Sequence, residues 1–114
     1  MTTATDRVFV ALADPTRRQL LEIIHRQTTC SASALARELP VSRQAIVKHL
    51  AVLAEADLVG SERRGREIVF DVRPETLVAT ASWMTSLAAT WDARLTALKA
   101  AAEAKGHEAA VMWP

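Results

Sequence analysis

Four polar side chains near the start of one segment, Ser42, Arg43, Gln44 and Lys48, have the types and spacing to read another molecule. They belong to the run Val41-Ser42-Arg43-Gln44-Ala45-Ile46-Val47-Lys48-His49-Leu50. Ser42 suits a helix N-cap, because its hydroxyl can accept a first-turn N–H. Ile46, Leu50 and Leu53 recur at four- and three-residue steps, so they share one face and point into a core. Arg43, Gln44 and Lys48 then project outward, with the small Ala45 among them. Arginine can pair with guanine edges, glutamine with adenine edges, and lysine with phosphate or guanine, so such a helix end suits the DNA major groove. His49 has two roles open to it, a phosphate contact or packing against the preceding turn. Taken alone, these residues would equally suit a solvated helix face, and their neighbours decide between the two.

Upstream, residues 31–39 form another short capped segment, Ser31-Ala32-Ser33-Ala34-Leu35-Ala36-Arg37-Glu38-Leu39. Pro40 and Val41 leave room only for a tight turn before the next helix. Helix, short turn and polar-tipped helix is the helix-turn-helix arrangement. Downstream, Arg63, Arg64 and Arg66 surround Gly65 at the tip of a hairpin, the place of the wing in a winged-helix protein. These arginines suit phosphate or minor-groove contacts, although charge on an edge ribbon also serves solubility. Glu62 and Glu67 flank the tip and reduce the local field.

A chain of 114 residues suits a single domain, spanning 1–114. Its apolar content of 50% supplies a core without a disulfide framework. The net charge of +1 makes no global case for nucleic acid, so that case rests on local clusters. A lone cysteine, Cys30, forms no intrachain disulfide and fits a reducing cytoplasm. No apolar run approaches the roughly 20 residues a membrane span needs. Residues 1–5 read as a flexible N-terminus without a signal peptide.

The elements that must position these residues are predicted in order. A first helix over 6–13 carries Val8, Phe9 and Leu12 on its apolar face. Asp14 caps a second, with Pro15 in its first position and Leu20, Leu21 and Ile24 buried. It ends near His25 or Arg26, cations suited to the helix's negative end. Residues 27–30 are a connector or a very short strand. The helix-turn-helix follows, its second helix running to about Ala56. The wing spans 59–72, with strands over 59–63 and 67–72, a turn near Arg64-Gly65, and Ile68, Phe70 and Val72 alternating toward the core. Residues 6–72 make the DNA-binding core. A long last helix spans 74–105, with Gly106 as its stop. Leu77, Ala81, Met84, Ala88, Trp91, Leu95, Leu98 and Ala102 step by four and three along it, a heptad stripe that Trp83 and Leu87 widen. One small domain cannot cover so wide a stripe, and tryptophans are costly to leave wet. The prediction is a dimer interface built from Val8, Phe9, Leu12, Leu77, Met84, Leu87, Trp91, Leu95 and Leu98. The tail 107–114 holds Met112 and Trp113, which either dock on the dimer or hang free.

With these residues in place, the chain resembles the ArsR/SmtB family of bacterial transcriptional repressors. The resemblance rests on Asp14-Pro15-Thr16-Arg17-Arg18, Leu35-Ala36, the run from Ser42 to Leu53, Ala56-Asp57-Leu58-Val59 and Gly65-Arg66. It implies a mainly helical winged helix-turn-helix with a small hairpin. It further implies a homodimer, formed by the first and last helices, that sits on an operator in double-stranded DNA and blocks transcription. Metal-responsive members carry a Cys-x-Cys pair where this chain has Ser31 and Ser33, and serine is a poor ligand for soft metals. A second metal pattern in the family needs His and Asp on the last helix, where this chain offers only Asp92, Glu75 and Glu103, with His107 beyond the stop. The resemblance is therefore to non-metal members, with no metal or cofactor expected. Cys30, next to the missing pair, reads as a small buried residue, with a redox switch as its other role.

No catalytic pattern stands out. The glycines, Gly60, Gly65 and Gly106, make no phosphate loop, and His25, His49 and His107 fall in unrelated elements. The expected function is a sequence-specific DNA-binding regulator, a cytoplasmic homodimer on an inverted repeat. Its DNA contacts are Ser42, Arg43, Gln44, Ala45, Lys48, His49, Arg63, Arg64 and Arg66. A small-molecule or redox inducer would act by favouring one setting of the two halves. The alternatives are a winged-helix module that binds a protein through the same surface, or a metal-responsive repressor whose site escapes these patterns.

Overall fold

The computed structural model describes residues 3–104. Four helices lead the chain, α1 (Ala4–Leu12), α2 (Pro15–Gln27), α3 (Ala32–Glu38) and α4 (Arg43–Glu55). Strand β1 (Cys30–Ser31) lies between α2 and α3. Strands β2 (Val59–Arg64) and β3 (Glu67–Val72) follow, then helix α5 (Pro74–Ala104). The chain divides into two units between Thr80 and Ala81.

Helix α1 begins at Ala4, earlier than expected and inside the stretch read as flexible. The cause is a capping box. The Thr3 hydroxyl accepts the Asp6 N–H at 3.1 Å, and the Asp6 carboxylate accepts the Thr3 N–H at 3.1 Å. Helix α2 is capped as its sequence suggests. Asp14 accepts the Thr16 N–H at 2.7 Å and the Arg17 N–H at 3.4 Å, with Pro15 at the first position. It runs on to Gln27 and then reverses in one residue. Thr28 sits at φ 71°, ψ −52°, and the Thr29 N–H donates to the Gln27 carbonyl at 2.8 Å, a γ-turn.

That turn delivers Cys30 and Ser31 to the sheet, whose strand order is β1-β3-β2, all antiparallel. The short-strand alternative for the connector is the one adopted. Cys30 pairs with Phe70 and Ser31 with Val69, so β1 joins the start of α3 to the wing. The Ser31 hydroxyl caps α3 by accepting the Ala34 N–H at 3.1 Å. Between α3 and α4 the chain turns on Pro40, with the Val41 N–H donating to the Leu39 carbonyl at 2.8 Å. The Ser42 hydroxyl then caps α4 through the Ala45 N–H at 3.1 Å.

The core of the N-terminal unit is built from Val8, Leu20, Ile24, Leu35, Ile46, Leu50, Leu53 and Leu58, all fully buried. The α4 periodicity thus serves the face predicted for it. One residue expected at a dimer interface, Val8, is wholly enclosed instead, while Leu12 and Leu77 are partly buried and rest one side against the same core. A second correction concerns β3. Phe70 and Val72 pack on the core, but Ile68 is half exposed. The third strand reaches only as far as Val69, so Ile68, opposite Arg63, lies where the ribbon has outgrown its cover.

In the second unit, every residue of 81–104 is exposed except Ala102, which is partly covered. Trp83, Met84, Leu87, Trp91, Leu95 and Leu98 stand between 45 and 58% exposed. The Arg94 guanidinium lies over the Trp91 ring, 5.7 Å from its centroid, a cation–π contact along the helix. The expected stop at Gly106 and the roles of Met112 and Trp113 fall outside the described residues.

Candidate nucleic-acid interface

Because Ile46, Leu50 and Leu53 anchor one side of α4, its opposite side is forced outward. Ser42, Arg43, Gln44 and Lys48 are exposed there, and Ala45 is partly covered. No acidic residue occurs on α4 before Glu55, so its first two turns present donors and one amide without a competing carboxylate. Gln44 and Lys48 have no side-chain partner among the described residues, which leaves their groups available. Arg43 is different. Its Nε donates to the Ser33 hydroxyl at 3.1 Å, which draws the guanidinium toward α3.

The hairpin carries its arginines on different faces. Ser61 pairs with Phe70 and Arg63 with Ile68, so Arg63 shares the face that Phe70 turns to the core. Arg64 lies on the other face. It pairs with Glu62 at 2.9 Å and stands directly opposite Glu67, so carboxylates within the wing compete for it. Arg66 occupies the turn itself. The two-residue loop is Gly65-Arg66, one place later than expected, with Gly65 at φ +64°. Positive φ at the first loop residue alone is the pattern of a type II′ hairpin turn, which glycine adopts without strain.

Between helix-turn-helix and wing runs an open groove of about 480 Å³. Ser33, Arg43 and Val47 line it from the helices, and Arg66, Glu67, Ile68 and Phe70 from the wing. Arg43 and Arg66 thus border one channel. Of the predicted contacts, the structure gathers Arg43 and Arg66 here and leaves Arg64 paired elsewhere.

His49 is half-buried and takes the packing role. Arg17 Nη1 lies 3.3 Å from its Nδ1, and a guanidinium, which has no acceptor, can only donate there. The same guanidinium donates to the carbonyls of Ala11 at 2.6 Å and Val10 at 3.1 Å, and lies 3.7 Å from Asp14. Desolvation pushes the Asp14 carboxyl up, but the Thr16 and Arg17 amides and the nearby His49 and Arg17 outweigh it, and the group is held below its ordinary range.

Sequence reasoning missed three residues here. Val47 was legible as the position three after Gln44, but its apolar type hid it. Ser33 was read only against a missing thiol. Arg17 stands in the Asp14–Arg18 run, but its role is not legible there, because its partners are 6, 7 and 32 residues away. Ser33 and Ser31 instead hold Arg43 and cap α3, respectively. Cys30 is buried and its Sγ donates to the Gln27 side-chain oxygen at 3.3 Å. Burial, with help from Glu38 and against Arg37, pushes its thiol above the usual range, away from the reactive thiolate.

Known proteins match this arrangement. A helix-turn-helix domain family matches residues 12–62. The HTH-type transcriptional regulator Rv2034 of Mycobacterium tuberculosis is 36% identical over 103 residues, 90% of this chain and 92% of its own. The transcriptional repressor SdpR of Bacillus subtilis is 29% identical over 79 residues, 69% of this chain and 87% of its own. Among solved structures, an ArsR-like transcriptional regulator from Rhodococcus sp. RHA1 superposes with a TM-score of 0.84 at 44% identity, covering 89% of this chain and 92% of that one.

Proposed function

The chain belongs to the ArsR family of winged helix-turn-helix transcriptional regulators, and from that premise we propose that this DNA-binding regulator is a homodimeric repressor acting at an inverted-repeat operator. The observation that carries the DNA contact is the outward face of α4. Its first two turns hold Arg43, Gln44 and Lys48 and no acid, across a groove from Arg66. Gln44 and Lys48 approach base edges, Ser42 and Ala45 fit close to the duplex at the helix tip, and Arg63 and Arg66 hold the flanking backbone. Arg43 sits between α3 and the groove and serves either phosphate or base. Arg64 contributes less than its charge suggests, and His49 contributes chiefly by packing.

The dimer reading is supported by the exposed apolar residues of α5, Met84, Leu87, Trp91, Leu95 and Leu98, with Phe9 on α1. An apolar strip of this kind in water favours a second copy. A dimer of this family's kind would present two α4 tips to successive major grooves, about one helical turn apart. Repression follows from occupancy of the operator. No described helix is long and apolar enough to cross a membrane, and we place the protein in the cytoplasm with its DNA.

The test is binding to duplex from the chain's own upstream region at two salt concentrations, beside sedimentation of the free protein. Specific retention that weakens steeply with salt, by a dimer, is the expected result. Salt-indifferent retention of every duplex would remove the operator reading, and a single-subunit species at all concentrations would remove the dimer.

A further inference from the structure

We infer that Val47 reads the C5-methyl group of a thymine, so that the recognised sequence holds one thymine per half-site whose methyl is required opposite this side chain. The inference rests on the DNA-binding reading above and specifies what that surface recognises.

Val47 is 45% exposed on the outward side of α4, while its neighbour Ile46 is fully enclosed. It stands four residues after Arg43 and three after Gln44, and so shares their face. A β-branched side chain lowers helix propensity relative to alanine, and here it gains no core burial in return. Elsewhere on its solvent side α4 keeps small residues, Ala51 and Ala54. Val47 is therefore the one exposed apolar side chain larger than alanine in the first two turns of that face, set among groups that make hydrogen bonds.

The major-groove edges of the base pairs offer hydrogen-bonding groups in every case, and one apolar feature, the thymine methyl. Two branched methyls on the reading helix match that feature and no other. Gln44, a turn earlier, carries the amide that pairs with adenine. Arg43 is drawn aside by its bond to Ser33, and Val47 and the half-exposed Ile68 both face the groove that Arg43 borders. The combination specifies A·T pairs within each half-site, with adenine read by Gln44 and thymine by Val47.

The experiment selects duplexes from a random-sequence pool with the full chain. Each thymine of the selected site is then replaced singly by uracil, which removes only the methyl, and affinity is read by fluorescence anisotropy. At one position per half-site, uracil weakens wild-type binding about fourfold, the worth of one methyl transferred from water. Val47→Ala binds thymine and uracil duplexes equally at that position, and Val47→Thr, which keeps a methyl, retains the preference. Val47→Ala melts as wild type does, because the site is exposed and alanine favours helix. If wild type is indifferent to every uracil, or if Val47→Ala keeps the full thymine preference, the assignment is wrong while selection of a specific site still upholds DNA recognition. If the pool yields no preferred sequence at all, the DNA reading falls and takes this inference with it.

Discussion

Within the N-terminal unit, apolar residues at helical steps disappear from water: Ile46, Leu50 and Leu53 on α4 are between 0 and 1% exposed. Beyond Thr80 the same spacing leaves Met84, Trp91, Leu95 and Leu98 about half exposed. The two regions differ in what meets their apolar residues, and α5 also segregates them less sharply to one face than α4 does. Around α4 stand α1, α2, α3 and the hairpin, each supplying part of a shared core. The later turns of α5 have no such cover within the second unit. Periodicity therefore announces an apolar face and is silent about its partner, and self-association is the reading that gives both regions the same physics.

The contrast can be broken most forcefully in the core. Leu50→Ala should cost about 2–5 kcal/mol of stability, read from the urea midpoint, because the cavity is surrounded by other fully buried side chains. Trp91→Ala should instead weaken self-association about tenfold or more by sedimentation, with little change in unfolding at the lowest protein concentration. A loss there as large as that of Leu50→Ala would mean that α5 is core like α4. Smaller and sharper is a comparison inside the wing. Arg66→Ala should reduce the salt slope of DNA binding by about 1, whereas Arg64→Ala, already paired with Glu62, should change it less. Equal slopes would show that the internal ion pair does not restrain Arg64.

Two further substitutions probe the frame of the N-terminal unit. The Asp14 carboxyl is held below its usual 3.8, so its contribution is present above that pH and is lost as pH falls below it. Asp14→Ala should lower the melting temperature at neutral pH, and the gap from wild type should close in acid below 3.8. A gap that persists unchanged would mean that the charge is not what caps α2. Thr28→Gly should have the least effect, a gain of at most about 1 kcal/mol, since relief of a left-handed threonine is partly offset by glycine's larger unfolded freedom. A clear loss in thermal melting would show that Thr28 is held there by more than the turn.

Local chemistry made much of the fold legible. Asp14-Pro15, Ser42 and the Leu50 and Leu53 steps each have a cause within a few residues, and the helices they mark stand where expected. The start of α1 was equally local, but the Thr3–Asp6 box uses aspartate where glutamate is the usual sign. What could not be read depends on long-range register. Ile68 and Phe70 share one strand alternation, and only the pairing of Cys30 with Phe70 decides which is covered. Val8 looks like an interface residue from its own helix and becomes core once α2 and α4 pack against α1. The site divides the same way. Gln44 and Lys48 follow from the helix, whereas the splitting of Arg63 and Arg64 between two faces follows from the hairpin register.

The guanidinium of Arg17 has a practical consequence for anyone re-engineering the target sequence. It holds the last carbonyls of α1 and the ring of His49 on α4 at once. A lysine offers a single point and cannot span two helices with a planar fork. Grafting residues 43–55 onto a sister scaffold, or exchanging that segment for a foreign one, therefore transfers the side chains but not the angle at which they are held, unless position 17 and its acceptors travel with the graft.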